Sequence, residues 1–512
     1  MHGMRWMHRW VAGALVLVAL LGAAASAAAS PRERLTLRVG TQPISTLDPH
    51  LAASVADIQI LEQIYEHLTK VDARGRPSGE LAAEWESEEG RSWTFTLREG
   101  ARFSSGRPVT ARDVLFSFRR LRDPSGGTAA AGLLQAIRDV EALDERRVRF
   151  VLDRADPEFP AALADYHAVI LPAGTRDPPA EGAGSGPFAL AYYVPGERVI
   201  LRRNPHYALR DPQGVPLPHL EELRFELSSD LAGQVRALQE GRLDFVGGLT
   251  TELARTLRRS HRTRVLTVEA NMHWVIHMRS DPGHPAADNR VRRALKLATR
   301  HQGLVDALRP GLASVGNGFS PVGPAFGMLH LVRPPFPDTA RAQELLAQAG
   351  FPEGLEIRLE VPEHPEALAL AAAWKQQVAR IGVGVSVGVH PVRQYYGSEG
   401  THWLNAEFAI TDWGARSSPL QYFKLAYAAS APWNQSHWSD PEFDALVERL
   451  SGEMDERQRI LLYHEAQEIL IDRGPVIVPY FLKAVAGADA RLKGVSLAAD
   501  WPRTQFRDAH FE

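Results

Sequence analysis

Between Leu355 and Val389 the chain changes its periodicity twice, and that change limits the possible folds more than any other stretch. Leu355, Ile357, Leu359 and Val361 alternate with their neighbours, the period of two expected of a strand. A helix is expected from about Glu366 to Arg380, after which Val383, Val385, Val387 and Val389 return to alternation. A strand, a helix and a strand in that order form a crossover unit with parallel strands, so the chain is of the α/β class. A second stretch, Ser92 to Phe118, agrees. Trp93, Phe95 and Leu97 alternate as a strand, and Ser104-Ser105-Gly106 makes a turn. Thr110 followed by Asp113 then signals a helix start before Val114, Leu115, Phe118 and Leu121.

Strands and helices alternate along the rest of the chain. Leu35 to Gly40 is a strand, followed by a helix with Ile58, Leu61, Ile64 and Leu68 on one face. Val148 to Leu152 and Arg198 to Arg202 are further strands, and Asp177 to Pro187 is a linker. Val291, Leu295 and Ala298 mark a helix, and Gly350 ends another that covers Ala340 to Ala349. Ser439-Asp440-Pro441 caps a helix, Asp455 to Asp472 is a second, and Pro475 to Leu482 is an apolar strand. At 512 residues, 45% hydrophobic and 23% charged, the chain has room for two or three domains.

The N-terminus names a compartment. Arg5 and Arg9 precede an apolar run from Trp10 to Ala25, and small residues at Ala27 or Ala29 offer a cleavage site. The run is shorter than the roughly 20 residues of a membrane span, so residues 1–29 are expected to be a cleaved export signal and the mature protein periplasmic. The chain has no cysteine. Disulfides, thiolate metal sites and lipid attachment at a cleavage-site cysteine are thereby excluded. A net charge of −3 offers no general attraction to nucleic acid.

Signals for catalysis are missing. No phosphate-binding loop, dinucleotide fingerprint or Gly-x-Ser-x-Gly elbow occurs. His464-Glu465 stands on a helix without the second histidine of a zinc protease motif, and Ile460, Leu461, Ile469 and Leu470 are expected to be the buried face of that helix. No metal or cofactor is expected. Nineteen scattered histidines leave room for a Ser-His-Asp triad assembled in space. The first place to look for a ligand is Asp412 to Phe423, which follows a strand expected over Glu407 to Thr411. There Trp413 offers a stacking surface, Gly414 permits close approach and Arg416 presents a fork for carboxylates; a buried Trp beside a surface Arg is the alternative.

The order of short motifs carries a resemblance. Ser45-Thr46-Leu47-Asp48-Pro49-His50, Leu81-Ala82-Ala83-Glu84-Trp85, the Phe-x-Leu-Arg-x-Gly and Thr-Ala-x-Asp-Val of Trp93 to Phe118, Gly184-Ser185-Gly186-Pro187-Phe188, Arg203-Asn204-Pro205-His206-Tyr207, Val291-Arg292-Arg293-Ala294-Leu295 and Ala340 to Phe351 stand in sequence. Together they resemble the extracellular solute-binding proteins of ABC transporters, in the family of the oligopeptide, dipeptide and nickel binders. The resemblance implies two lobes that close over a ligand, with an extra domain inserted in the first. Lobe I would comprise residues 30–66, 179–269 and 483–512, the inserted domain 67–178, and lobe II 270–482. It implies capture without chemistry by a monomer that docks on a membrane permease coupled to ATPase subunits. Two alternatives stay open: an exported hydrolase acting on a small peptide or conjugate, and a receptor that presents its ligand to a membrane sensor.

Peptide-binding members of that family resemble this chain in a Trp-x-Ala-Asp loop whose Asp receives the peptide's α-ammonium. Trp413-Gly414-Ala415 matches, but Arg416 occupies the Asp position. Two like charges about 4 Å apart at an effective dielectric near 20 repel by about 4 kcal/mol, which disfavours a free-amine peptide. A blocked peptide, an acidic conjugate or a sugar derivative would suit Arg416 instead. Compensation by Asp412, or neutralisation of Arg416 by another acidic residue, are the competing readings. Arg393 would add positive charge, and the resemblance places Val55, Trp274 and Phe481 in the ligand wall.

Overall fold

The computed structural model describes residues 35–72, 76–123, 134, 136–316, 336–397, 402–416 and 418–512. The export signal, its cleavage site and Ser417 lie outside the described residues. The chain enters on β1 (Thr36–Thr41), where Leu37 and Val39 are buried as the alternation requires. Helix α1 (Val55–Ile64) begins on a capping box: Ser54 accepts from the Asp57 backbone, and Asp57 accepts from that of Ser54. The helix stops sooner than the face Ile58, Leu61, Ile64 and Leu68 suggested. Tyr65 turns extended, Glu66 and His67 leave to meet Arg98 and Glu80, and Leu68 joins a different core.

That second core belongs to a small antiparallel sheet. It is built from β2 (Ala82–Glu88), β3 (Ser92–Leu97), α2 (Ala111–Arg122), β4 (Ile137–Ala142), β5 (Arg147–Leu152) and the short α3 (Phe159–Ala162), with strand order β2-β3-β5-β4. Trp93, Phe95 and Leu97 on β3 meet Val114, Phe118 and Leu121 on α2 in one apolar cluster. The Asp113 carboxylate accepts from Thr110 N at 2.8 Å and fixes the start of α2.

The other strands join β1 in one mixed, twelve-stranded sheet. They are β6 (Phe188–Val194), β7 (Arg198–Arg203), β8 (Glu222–Leu227), β9 (Phe245–Gly247), β10 (Thr263–Met278), β11 (Leu355–Pro362), β12 (Val383–His390), β13 (Phe408–Trp413) and β14 (Tyr480–Asp489), with two short strands at 313–315 and 476–477. Helices α4 (Asn289–Ala298), α5 (Pro365–Val378), α6 (Val392–Tyr396), α7 (Pro419–Tyr422), α8 (Pro441–Gly452) and α9 (Glu456–Asp472) belong to the later part. The main path runs β12-β11-β13-β10-β14-β9-β1-β8-β7-β6. Strands β11 and β12 pair in parallel across α5, as the periodicity between Leu355 and Val389 predicts.

The sheet has two halves. Strands β12, β11 and β13 are parallel at one end, and β9, β1 and β8 at the other. Long β10 and β14 join them. From the pair Glu269–Lys483 to the pair His273–Phe481, β10 advances four residues (273 − 269) while β14 advances two (483 − 481). This bulge hands β10 over from β14 to β13 and divides the cores. Leu37, Phe225 and Phe245 pack on one side, and Ile276, Leu359 and Trp374 on the other.

Two further expectations need correction. The apolar segment from Pro475 to Leu482 is not one strand: it divides at Val478-Pro479 into Val476–Ile477 and the start of β14, because Pro479 has no N–H to give a ladder. On α9 the buried stripe is Leu462, Tyr463, Ala466, Ile469 and Leu470, and Leu461 is 48% exposed. A stripe at i, i+1, i+4, i+7 and i+8 leaves position 461 on the outer side.

Candidate functional site

The carboxyl ends of parallel strands are where ligands gather in open α/β sheets, and Trp413 is the last residue of β13 at that end. The loop that follows is held from the bulge of β10. Asn271 brackets the backbone of one residue of it, Arg416: Nδ2 donates to Arg416 O at 2.5 Å, and Oδ1 accepts from Arg416 N at 3.1 Å. The Tyr422 hydroxyl lies 2.8 Å from Gly414 O and 3.1 Å from Asn271 O, which ties α7 to the same loop. Burial raises the Tyr422 phenol far above its ordinary range despite the nearby Arg416 charge, so it stays a donor.

His273 completes this group. Its Nδ1 is 2.7 Å from Asn271 O, so that nitrogen carries the proton and donates to the carbonyl. Burial lowers its pKa to about 4, with Arg416 adding to the effect against the Asn271 carbonyl, and the ring is neutral at physiological pH. Its ring centroid lies 5.1 Å from that of Phe481 and 5.3 Å from that of Tyr422. Trp413 packs in the same apolar cluster as Phe481 and Tyr422. The Trp413 indole N–H is buried and has no acceptor among the described residues.

Arg416 is the charged member of the group. Its guanidinium is partly buried and donates from Nη1 to Ala415 O at 3.0 Å. Among the described residues no carboxylate forms an ion pair with it. Asp412, one of the two sources of compensation weighed above, is engaged elsewhere and accepts from Tyr396 Oη at 2.6 Å. The register explains why. Trp274 pairs with Asp412 and His273 pairs with Trp413, so Asp412 and Trp274 share the opposite face of the sheet from Trp413.

The structure therefore collects Trp413, Gly414, Ala415, Arg416 and Phe481 and sets Trp274 and Asp412 apart from them. Trp274 is buried in another cluster, its ring 5.1 Å from His364. Arg393 is exposed on α6, three residues before Tyr396. Val55 is the first residue of α1 in the other half of the sheet, beyond the carboxyl end of β1. Its position is fixed by Asp57, which accepts from Ser45 N at 2.7 Å and Thr46 N at 3.2 Å and so cinches the loop after β1 onto the helix start. Burial opposes the Asp57 charge, but hydrogen bonds from Ser45 and Ser54 hold its pKa below the ordinary value.

Sequence reasoning misses Asn271 and His273, and it includes Tyr422 only as part of the stretch Asp412 to Phe423. An Asn inside a long strand, where that residue is uncommon, is the one signal that would have pointed to the bulge. Among the described residues no three His, Asp or Glu side chains are grouped to hold a metal ion. No helix among them is long and apolar enough to cross a membrane.

Comparisons with known proteins agree with one another. The family model described as bacterial extracellular solute-binding proteins, family 5 middle, matches residues 76–435. The periplasmic oligopeptide-binding protein OppA of Salmonella typhimurium is 26% identical over 513 residues, covering 91% of each chain. The unliganded open form of the periplasmic murein tripeptide-binding protein MppA superposes with a TM-score of 0.79 at 21% identity, covering 94% of this chain and 98% of the other. The periplasmic binding protein DppA from Helicobacter pylori, in complex with the peptide STSA, gives a TM-score of 0.69 at 22% identity over 93% of this chain and 98% of that one.

Proposed function

The chain belongs to the bacterial extracellular solute-binding proteins of family 5, and from that premise we propose that it captures a peptide-like or related small polar solute between two lobes and delivers it to an ABC transporter permease. As a member of that family it is a solute-binding receptor with the two-lobed fold. The proposed lobes keep the boundaries given above, with residues 30–66, 179–269 and 483–512 in lobe I, 67–178 inserted, and 270–482 in lobe II. The break in register between Glu269 and His273, opposite Lys483 and Phe481, supports a hinge at those limits. Lobe closure would be a shift toward the conformation that the ligand binds better. The names of the relatives, which bind oligopeptides, murein tripeptide and a four-residue peptide, support a peptide-like ligand.

One observation carries the choice within that class. Arg416 brings a partly buried positive charge to the strand end without an ion-pair partner among the described residues. A buried indole donor on Trp413 lacks an acceptor beside it. Both call for oxygen atoms, and His273, held neutral, adds no charge that would repel a cation or compete for an anion. The ligand is therefore anionic or neutral and oxygen-rich where it meets Arg416: a blocked peptide, an acidic conjugate or a sugar derivative. No catalytic step is assigned to the protein. Native mass spectrometry of freshly purified full-length protein tests this reading. A bound small molecule released unchanged in mass is expected, and turnover of an added peptide to cleaved product would make the protein a hydrolase instead.

A further inference from the structure

The small four-stranded unit touches the second half of the molecule at a place remote from its own attachment. The contact begins with the turn between β2 and β3, where Glu89 and Gly90 both have positive φ. Gly90 O accepts from Asp156 N at 3.0 Å and from the Trp93 indole at 3.1 Å, which fixes the loop ahead of α3. That loop presents Glu158, whose backbone N is held at 2.9 Å by Asp156. The Glu158 carboxyl reaches across: Oε1 accepts from Tyr463 Oη on α9 at 2.6 Å, and Oε2 accepts from Ser418 Oγ at 2.5 Å. Ser418 and Tyr463 are 3% and 1% exposed, so both donors are withdrawn from water. Gly90 lies against Met454, whose sulfur would be 2.7 Å from a Cβ placed there.

These facts describe a contact with one carboxyl at its centre and two hydroxyl donors on the other side. Both donors belong to the half of the chain that carries Arg416, and Ser418 is two residues beyond it. We propose that Glu158 is a clasp that holds the small unit against the second lobe and, through Ser418, positions the loop that carries Arg416. Among the described residues Glu158 forms no ion pair, so the clasp opens without leaving an uncompensated partner ion behind. The hinge at β10 and β14 and the clasp at Glu158 are then two separate controls on one movement: the first allows it, and the second selects an arrangement.

The absence of cysteine makes the test direct, because two introduced cysteines are the only attachment points for nitroxide labels. Glu86→Cys on exposed β2 and Leu461→Cys on exposed α9 bracket the contact in the full-length mature protein. Pulsed electron-electron resonance should give one narrow distance for the labelled parent. Glu158→Ala should broaden it and add a longer component. Ser418→Ala with Tyr463→Phe, which leaves the small unit untouched, should reproduce that change from the opposite side. An unchanged distribution in Glu158→Ala, or a change there that the Ser418 and Tyr463 variant does not reproduce, would overturn the proposal.

Discussion

Where the small four-stranded unit meets the first half of the large sheet, ion pairs and bonds to backbone carbonyls close the contact; where it meets the second half, hydroxyls close on a carboxyl. At the first seam Arg98 grips Glu66 with two parallel bonds of 3.0 and 2.9 Å, and Arg120 on α2 pairs with Asp48. His167 Nε2 lies 3.0 Å from Ala52 O, and Arg503 reaches Ala164 O. At the second seam Glu158 accepts from Ser418 and Tyr463. Separating a buried ion pair leaves charges without partners, whereas separating a carboxyl from hydroxyls leaves groups that water solvates readily. The first seam is built to stay shut and the second to open, which is what a molecule needs if the unit is to travel with one lobe while meeting the other.

The strongest attempt to break this contrast is Arg98→Ala. Removing one member of the Glu66 pair, whose carboxylate side chain is 2% exposed, is expected to cost about 3–5 kcal/mol in urea unfolding. A loss below about 1 kcal/mol would mean the first seam is not held by charge. Glu158→Ala is expected to cost less, about 1–3 kcal/mol for two buried hydroxyl donors left unmet. An equal or larger loss than that of Arg98→Ala would erase the difference between the seams. Gly90→Ala should cost about 1–2 kcal/mol, because φ of +70° suits glycine and a Cβ would meet Met454. If it costs nothing measurable, the turn does not constrain the second seam.

The smallest expected effect is that of pH. Burial raises the pKa of Glu158 above the ordinary carboxyl range, against hydrogen bonds from Ser418 and Tyr463; Asp156 adds to the rise and Arg459 opposes it, with Lys424 on the facing side. A carboxyl whose pKa is higher in the clasped arrangement takes up a proton on clasping. Its contribution is complete below the ordinary range and is lost as pH rises through the raised value. The distance distribution across the seam should thus narrow as pH falls through the raised value toward the ordinary carboxyl range. Glu158→Gln should remove that dependence, and an identical pH response in the variant would assign it to another group.

The same contrast explains what could be read in the chain beforehand. Strands β11 and β12 and helix α5 were legible because Leu355, Ile357 and Leu359 repeat every second residue and face one core. The capping signal at Thr110 and Asp113 was legible because both partners lie within one turn of α2. Gly414 to Arg416 could be placed after a strand for the same local reason, although that strand runs on through Asp412 and Trp413 instead of ending at Thr411. The bracket of Asn271 on Arg416 spans 145 residues, and the bond of Glu158 to Ser418 spans 260. Contacts so far apart leave no periodicity, and only the topology that brings β10 beside β13 creates the first of them. Leu68 and Leu461 depart from helical spacing for a related reason: tertiary contacts set where α1 ends and which side of α9 is buried.

The central claim is that the charge of Arg416 selects the ligand. It is tested most directly by titration calorimetry of the full-length mature protein with one tripeptide in two forms, with a free amino terminus and N-acetylated, repeated on Arg416→Asp. The parent is expected to bind the acetylated form at least about tenfold more tightly, a difference of about 1.4 kcal/mol, and Arg416→Asp is expected to reverse the order. Preference of the parent for the free amine would contradict the account.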